Sequence, residues 1–282
     1  MTKQIEKRIP FVLIHISMVL VFTVPFSWLL VVICLLSTYF RLFGITAGFH
    51  RYFSHRSFKT SRWFQFILAL IGTTAAHLGP LWWAAHHRHH HRFSDTKNDT
   101  HSPVQNGFFH AHFAWLFEEK NKTIQTHYIN DLLRFPELNF IERFYYGFVA
   151  LYAVFIYGLG YLVESSFPQS QLTAYSIFIY GFLLSTVFLY HLTFSINSLM
   201  HLVGKRVYQT TDDSRNHFLL ALLTLGEAWH NNHHRYPLSE RQGFTWWQID
   251  ITHYILKFFE KLGLIWDIKT PPKIILIEGG YA

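Results

Sequence analysis

Four long apolar stretches limit what this chain can fold into more than any other feature. Each holds about twenty or more mostly apolar residues, which is the length that an α-helix needs to cross the hydrocarbon core of a membrane. Only 15% of the residues are charged, against roughly 25% in soluble domains. The sequence therefore predicts an all-α integral membrane protein. The stretches are 11–40, 63–85, 145–163 and 172–197.

The first apolar stretch is too long for one crossing, and Pro25 interrupts it near its middle. Because proline disfavours a continuous helix and is common in turns, we expect a tight hairpin there. Basic residues flank the stretch on both sides, whereas the loop 164–171 has no Lys or Arg. Cytoplasmic loops carry an excess of Lys and Arg, so both flanks are predicted to be cytoplasmic and the loop 164–171 to lie outside. The flanking residues are Lys3, Lys7, Arg8, Arg41, Arg51, Arg56, Lys59 and Arg62.

This charge distribution predicts four transmembrane helices in two hairpins. The spans are expected at 10–24, 27–47, 145–163 and 172–197. The parts 48–144 and 198–282 are expected to form a cytoplasmic helical cap, in a single domain that covers 1–282. The stretch 63–85 is expected to lie along the membrane interface or to pack on the spans, because a crossing would separate the histidines on its two sides. A fifth span is the alternative.

The charged and reactive residues narrow the function classes. A net charge of +7 favours nucleic acid, anionic lipid or an acidic protein as partner. The chain has no Lys/Arg stripe or nucleic-acid motif, so we expect a membrane surface and no nucleic acid. Cys34 has no second cysteine to pair with, which excludes a disulfide scaffold. The 20 histidines outnumber the 17 carboxylates, and this excess indicates metal or proton chemistry.

Three histidine clusters and one isolated histidine contain the candidate metal ligands. The clusters lie at 50–55, 86–91 and 230–234. In the second and third, the spacing H-x-x-H-H places imidazoles at i, i+3 and i+4, on one face of a helix and toward one cavity. Burying several imidazoles without partners is costly, and a bound metal removes that cost. The nine candidates are His50, His55, His87, His90, His91, His201, His230, His233 and His234.

The number of imidazoles constrains the metal site. Nine are too many for one zinc ion, which takes four ligands, and haem needs only one or two axial histidines. They suit two ions of higher coordination number, although spacing alone does not distinguish iron, zinc, copper and nickel. Asp95 and Glu227 are placed to orient ligand imidazoles, with ordinary surface carboxylates as the alternative. Arg88 and Arg92 are expected to offer charge to a polar headgroup or an acidic partner.

These clusters, with their surroundings, resemble the membrane fatty-acid desaturases of the acyl-CoA Δ9 (stearoyl-CoA) type. The matching strings follow the order of that family, and the spacing covers roughly residues 10–265. Two positions depart from the family pattern. His77 stands where the family has Gln, and Ala85-His86 stands where the acyl-CoA enzymes have Arg-Asp near the carrier. The strings are GITAGFHRYFSHRS at 44–57, HRHHHRFSD at 87–95, NSLMH at 197–201 and GEAWHNNHH at 226–234.

The resemblance implies a four-span helical fold with a cytoplasmic cap over a non-haem di-iron centre. The nine histidines are then the ligands of two Fe²⁺ ions, and Asn197 reaches a metal through water. Trp83, Thr193 and His77 are implied at the bend of a tunnel for the acyl chain. The reaction implied is the O₂-dependent insertion of a cis double bond into a saturated acyl chain, at Δ9. The electrons are implied to come from an external donor such as ferredoxin, or cytochrome b5 with its reductase.

The chemistry of the substrate explains why metal is needed. An unactivated methylene has no acidic proton and no leaving group, so acid/base or nucleophilic side chains cannot oxidise it, whereas non-haem iron with open positions can. The substrate is a fatty acyl chain carried by CoA or by a membrane lipid. A membrane di-iron hydroxylase of acyl or hydrocarbon chains is the closest alternative. A non-enzymatic metal-binding membrane protein is the alternative from another class.

Overall fold

The computed structural model describes residues 2–281, with side chains from residue 9 onward, and the described chain is almost entirely helical. Two short antiparallel strands, β1 (Lys59–Thr60) and β2 (Ile265–Trp266), join distant parts of the cap. The α-helices are α1 (Thr2–Ile16), α2 (Trp28–Phe43), α3 (Arg62–Thr74), α4 (Pro80–Phe93), α5 (Pro103–Asn106), α6 (Phe108–His112), α7 (Asn130–Leu133), α8 (Pro136–Arg143), α9 (Tyr145–Ser166), α10 (Ala174–Phe178), α11 (Ser185–Ser198), α12 (Phe218–Leu223), α13 (His230–Arg235), α14 (Ile251–Lys261) and α15 (Lys273–Glu278).

Short turns of other helix types extend or connect these helices. Two π-helical segments, Gly44–Ser54 and Ile179–Leu184, continue α2 and α10 without a break. The 3₁₀ segments are Ser17–Thr23, Ala114–Phe117, Glu119–Lys122, Thr126–Tyr128, Pro168–Ser170 and Leu199–His201.

Three continuous helices are long and apolar enough to cross a membrane. They are Trp28–Ser54, Tyr145–Ser166 and Ala174–His201. The first and third have 27 and 28 residues, or about 40 Å of helix, and so exceed a hydrocarbon core of about 30 Å. They extend beyond the predicted spans 27–47 and 172–197, and His50 and His201 lie in the additional length at their C-terminal ends.

The first predicted span, 10–24, coincides with the shorter apolar helix Ile9–Thr23. Its apolar side chains pack on the helix Ala174–His201, where Ile14 and Val21 adjoin the cluster around Ile177. The helical chain breaks between Val24 and Ser27, at the predicted turn around Pro25. A fourth crossing therefore stays a prediction, since this helix is shorter than a typical span.

The stretch 63–85 is not one continuous helix, which is inconsistent with a fifth span. Helix α3 has only 13 residues, or about 20 Å. The chain then turns through Ala76 and Leu78, which have φ of 60° and 66°, before α4 begins. This left-handed backbone is rare for residues with a Cβ and ends the helix. Instead, α3 and α4 pack against the C-terminal part of Trp28–Ser54. Packing on the membrane helices is one of the two placements that the sequence predicts for this stretch.

Glycines allow α3 to approach the histidine-bearing end of Trp28–Ser54 closely. A Cβ on Gly44 would lie 2.4 Å from the backbone nitrogen of Gly72. A Cβ on Gly72 would lie 2.4 Å from the ring of Phe49. Neither contact is possible for a real Cβ, so both positions need glycine to bring the two backbones together.

The structure corrects one part of the charge argument for topology. Arg41 and Arg51 are fully buried and hydrogen-bonded, so neither is a free cytoplasmic charge. Arg41 donates to Thr186 Oγ1 at 2.7 Å and Ser185 Oγ at 2.6 Å, which fixes α2 to α11. Isolated basic residues in a sequence do not reveal such partners. Arg56, Lys59 and Arg62 remain as the basic flank after the first stretch.

We expect Gly44→Ala to destabilise the protein by about 1–3 kcal/mol, because the methyl group overpacks the contact with α3. Thermal unfolding of the purified protein in detergent measures this. The matched control is Gly147→Ala in α9, where a Cβ meets nothing within 4 Å and alanine favours a helix by about 1 kcal/mol. Equal melting temperatures for the two variants would contradict the close approach.

Candidate metal centre

Four structural elements bring the nine predicted histidines together, near the C-terminal ends of two of the candidate membrane helices. His50 lies in the π-helical segment Gly44–Ser54, and His55 directly follows it. Helix α4 carries His87, His90 and His91, and α13 carries His230, His233 and His234. His201 ends the last membrane helix. Every predicted ligand therefore lies on or next to a helix, as the spacing indicated.

The π-helical geometry explains the spacing of the first cluster. In an α-helix, residues five apart point about 140° away from each other. In a π-helix of about 4.4 residues per turn they differ by only about 50° in direction. The amide of His55 donates to the carbonyl of His50 at 3.2 Å. Their ring centroids lie 4.9 Å apart, so the wider turn places both imidazoles on the same side.

The nine imidazoles form two adjacent groups. One nitrogen from each member lies within 4.8 Å of the others in its group. The first group is His50, His55, His87, His91 and His233. The second group is His90, His201, His230 and His234.

Each H-x-x-H-H frame contributes to both groups, which corrects the expectation that three imidazoles of one helix enter one cavity. Helix α4 sends His87 and His91 to the first group and His90 to the second. Helix α13 sends His233 to the first and His230 and His234 to the second. The i and i+3 side chains of one helix face differ by about 60° in direction, which is enough to divide them between two neighbouring centres.

The distances between imidazole nitrogens fit ligands of one ion. Nε2 of His55 lies 2.8 Å from Nε2 of His87, and Nε2 of His233 lies 2.9 Å from that of His91. In the second group, Nε2 of His201 lies 3.1 Å from Nε2 of His230. Two nitrogens about 2.1 Å from one metal are about 3.0 Å apart when they bind at right angles and about 3.4 Å apart in a tetrahedron. A nitrogen–nitrogen distance near 3.0 Å, which the right-angle geometry gives, is typical of ions with more than four ligands.

Carboxylates fix the orientation of four of these imidazoles. Asp95 and Asp212 each lie 2.7 Å from the Nδ1 atom of a histidine, His201 and His234 respectively. A carboxylate on Nδ1 holds the ring with Nε2 toward the centre and makes that nitrogen a better ligand. The four pairs are Asp95 with His201, Asp99 with His90, Asp212 with His234 and Glu227 with His50.

Sequence reasoning found Asp95 and Glu227 but missed Asp99 and Asp212. Asp99 follows His90 by nine residues, and its carboxylate lies 3.0 Å from Nδ1 of that residue. Asp212 is 22 residues from His234. Neither spacing is a recognisable motif, so only the folded chain reveals these partners.

Arg51 fixes the Glu227 carboxylate from the opposite side. Its guanidinium lies 2.9 Å from Glu227 and 2.9 Å from Asp250, and 3.3 Å from Glu240. All four side chains are buried. Burial alone would raise the pKa of Glu227, but the His50 imidazole and the Arg51 guanidinium lower it overall. Glu227 therefore stays ionised and can orient His50.

Four imidazoles of the first group are held neutral. Desolvation by burial, together with the neighbouring imidazoles, lowers the pKa of His55, His87, His91 and His233 well below the ordinary value. A neutral imidazole has a lone pair for a metal. In the second group, Nδ1 of His234 faces Asp212, while its Nε2 is buried with no hydrogen-bond partner among the described residues. A cation in that group would satisfy this nitrogen, so the residues fit a metal.

His101 is a further histidine beside the second group that the spacing did not reveal. It forms a third possible metal-binding set with His90 and Asp99. Its ring stacks on His90 with centroids 4.2 Å apart and lies 4.8 Å from Trp115. It is buried, and it supports the position of the His90 ring.

Two other histidines of the second cluster lie outside both groups. His86 stacks on Trp82 with centroids 4.0 Å apart and is hydrogen-bonded to the carbonyl of that residue. His89 packs against Phe93 and Tyr128. Neither residue belongs to an imidazole group, so the grouped histidines are those of the frame 87, 90 and 91 and not of the overlapping frame 86, 89 and 90.

The predicted tunnel residues divide between two cavities. Trp83, Thr193 and Asn197 line a cavity of about 40 Å³ together with His87 and His230. His77 instead lines a neighbouring apolar cavity of about 320 Å³, with Tyr190 and Phe194 among its walls. Asn197, Trp83 and Thr193 therefore line the same cavity as histidines of the two groups, whereas His77 lies in the wall of the other cavity.

The expected role of Arg88 is wrong, because its guanidinium is not available to a headgroup or a partner protein. It donates to Asp131 at 2.7 Å and to the carbonyls of Phe53 and Ser54 at 2.6 Å and 2.9 Å. These bonds attach α4 to the turn that contains His55. Arg92 lies over the ring of Phe93, 5.5 Å from its centroid.

Comparison with known proteins agrees with this site. A family model described as "Fatty acid desaturase" matches residues 26–268. The chain belongs to the fatty acid desaturase family. The sequence motifs therefore predicted this family correctly.

The similar proteins are named for different carriers and bond positions. An acyl-CoA C20 Δ5-desaturase of Anemone leveillei is 38% identical over 88% of this chain and 77% of its own length. A Δ9 acyl-lipid desaturase (number 2) of Arabidopsis thaliana is 38% identical over 81% of this chain and 71% of its own. An sn-1 stearoyl-lipid 9-desaturase of Synechocystis is 37% identical, over 82% and 68%. These names combine acyl-CoA with Δ5 and acyl-lipid with Δ9, so the acyl-CoA Δ9 type stays a prediction.

We expect His90→Ala to lower the bound metal from about two ions per chain to about one, because its nitrogen belongs to the second group. Elemental analysis of the purified protein measures this. His89→Ala is the matched control, one residue away on the same helix, and should retain both ions and most of the activity. An equal loss of metal from both variants would mean that the register of α4 is wrong.

Proposed function

We propose that this chain is a membrane oxidoreductase that inserts a cis double bond into a saturated fatty acyl chain, using two iron ions and O₂. The observation that carries the proposal is the pair of imidazole groups, five and four in number, beside a narrow cavity lined by Trp83 and Thr193. Membership of the fatty acid desaturase family supports it.

The ligand chemistry favours iron over zinc. Groups of five and four imidazoles, with nitrogen spacings of 2.8–3.1 Å in the contacts cited above, suit two ions that each take water or oxygen as a further ligand, whereas structural zinc is tetrahedral. Zinc also has no redox chemistry. Iron held by these histidines would supply the O₂-dependent oxidation that an unactivated methylene requires.

The protein's own residues prepare this site before any substrate arrives. The carboxylates of Asp95, Asp99, Asp212 and Glu227 orient four imidazoles, so the ligand set is rigid. Asn197 lines the same cavity as His230 and is proposed to reach a metal through water. The surrounding apolar wall excludes bulk water, which protects the reaction from side products.

The two cavities are proposed to be two limbs of one bent path for the acyl chain. Trp82 lines the larger cavity and Trp83 the smaller one, although they are consecutive in α4. Phe194 and Thr193 divide in the same way on α11. A flexible chain can present one methylene pair out of many only if its path bends at a fixed point, because affinity for carbons differs by only about 1–3 kcal/mol per methylene.

The position of the double bond is then set by its distance from the head of the acyl chain, and we propose Δ9. Two of the similar proteins above are named for it. The carrier is CoA or a membrane lipid, and similar proteins of both kinds exist. The electrons are proposed to come from an external donor such as ferredoxin, or cytochrome b5 with its reductase.

The proposed arrangement in the membrane is the one that places all nine histidines on the same side. We propose that 1–282 is one multi-pass domain in which Ile9–Thr23 forms the fourth crossing of two hairpins. Both termini and all nine histidines then face the cytoplasm, where the electron donors are. Chemical labelling of single cysteines at positions 55 and 91 from one side of the membrane tests this arrangement.

Expression in a bacterial host that cannot make unsaturated fatty acids tests the function directly. We expect the cells to grow without an unsaturated supplement and to contain a monounsaturated acid whose bond maps to Δ9. His90→Ala should abolish growth, and His89→Ala should retain it. Acids heavier by one oxygen atom instead of unsaturated ones would make the chain a hydroxylase. Metal binding without O₂ consumption or product would leave only a metal-binding protein.

We expect Trp83→Ala to widen the bend and to give mixed bond positions or a loss of activity, with both metal ions retained. Gas chromatography with double-bond mapping and elemental analysis measure the two effects. The control is Trp63→Ala, since Trp63 is 65% exposed and lines neither cavity. A Trp83→Ala protein that makes the same single isomer at full rate would contradict the tunnel assignment while leaving the metal assignment intact.

A further inference from the structure

An apolar surface of the cap lies outside the metal site and outside the membrane helices. Leu219 is 64% exposed and Trp246 is 85% exposed, although neither belongs to a span. We propose that this surface, which we call the interfacial patch, inserts into the bilayer interface and binds anionic lipid at its edge. Its exposed members are Leu202, Val203, Phe218, Leu219, Leu223, Trp246 and Trp247.

Ring contacts connect the two halves of the interfacial patch. The buried Trp229 ring lies 6.2 Å from that of Phe218 and 5.6 Å from that of Trp247. Phe218 and Trp247 also border the same surface depression as Lys205. The patch is therefore one continuous surface formed by α12 and the segment 246–247, and not a set of scattered apolar residues. Patches of this kind mark interaction sites.

The position of the interfacial patch favours the bilayer as its partner. Leu202 and Val203 directly follow the membrane helix Ala174–His201. With 28 residues, that helix is about 40 Å long and ends in the headgroup region beyond a hydrocarbon core of about 30 Å. The patch therefore begins where the chain leaves the membrane, so the same bilayer can cover it.

The shape of α12 agrees with an interfacial helix. Ala221 is fully buried in a cluster with Met200 and Trp229, whereas Phe218, Leu219 and Leu223 point outward. Apolar residues on the outer face of a short helix, with tryptophans beside them, are typical of segments that lie at the boundary between headgroups and acyl chains.

The charges at the edge of the interfacial patch complement anionic lipid. Lys205 is exposed and Arg215 is partly exposed. Within residues 9–281, no carboxylate pairs with either of them in an ion pair, whereas the neighbouring Arg206 is paired with Asp213. Cations near an anionic membrane surface contribute about 1 kcal/mol each to binding. The patch thus combines apolar insertion with two free cations.

Insertion of the interfacial patch would steady the metal site. Trp229 immediately precedes His230, and Met200 immediately precedes His201, in the buried cluster beneath α12. Both of these histidines belong to the second imidazole group. A bilayer that holds α12 would therefore also fix the distance of His230 and His201 from the hydrocarbon core.

A fluorescent label at position 219 tests the proposal. Leu219→Cys is labelled with an environment-sensitive nitrobenzoxadiazole dye, and the full-length protein is placed in nanodiscs of phosphatidylcholine with phosphatidylglycerol. We expect a blue-shifted emission and quenching by a shallow doxyl lipid about twofold or more above that of the control. The control is Asn98→Cys, an exposed turn position of the cap. Cys34 is buried, and the labelled wild-type chain gives the background.

The edge charges give a second, independent readout. Lys205→Glu combined with Arg215→Glu should reduce the lipid quenching at position 219 in anionic nanodiscs and should change it little in pure phosphatidylcholine. A label at position 219 that aqueous iodide quenches as strongly as at position 98 would overturn the proposal. Protection that develops only when a soluble electron donor is added would also overturn it, in favour of a protein partner.

Discussion

The burial, wholly or in part, of nine imidazoles in two adjacent groups is the constraint on which the rest of the structure depends. Unpaired polar groups are costly to bury, and protonated imidazoles so close together would repel one another. Burial and mutual repulsion keep imidazoles such as His55 and His87 neutral. The carboxylates on Nδ1 fix the rings, as Asp212 does for His234. Cations in the two centres would stabilise such an arrangement, because metal binding to a preformed set of ligands contributes to folding free energy.

Helix length and helix type place these imidazoles where a membrane substrate can reach them. The helix Trp28–Ser54 is longer than the hydrocarbon core is thick, and its last part changes to a π-helix that turns His50 and His55 to one side. Such segments are rare and occur often at functional sites. Gly44 and Gly72 then allow α3 to close over this end. The close packing of α3 on this π-helical end therefore helps to fix the positions of His50 and His55.

Much of the helical framework and the ligand set could be predicted from the sequence, because period and spacing are local properties. The frame in 230–234 predicts a helix, and α13 is one. Spacing could not show that this helix serves two centres, because this depends on where α4 packs. It also could not find Asp212, which folding alone brings to His234. Arg41 shows the same limit, since its hydroxyl partners on α11 are distant in sequence.

The buried charges distinguish two regions of the structure, one with an ion-pair network and one that is mainly apolar. Arg51, with Glu227, Asp250 and Glu240, joins the first histidine cluster to the cap in a dry, fully paired network. Losing one member of such a network leaves a charge unpaired, which costs about 3–5 kcal/mol, so this region is rigid. The cavity beside Trp83 is mainly apolar, and Glu227 of this network forms part of its wall. The proposed acyl path therefore borders the rigid network on the side of the histidines and is bounded elsewhere by apolar side chains such as Leu192 and Ile196. Variation among related enzymes in bond position and carrier is compatible with this division, because the path can change without disturbing the metal site.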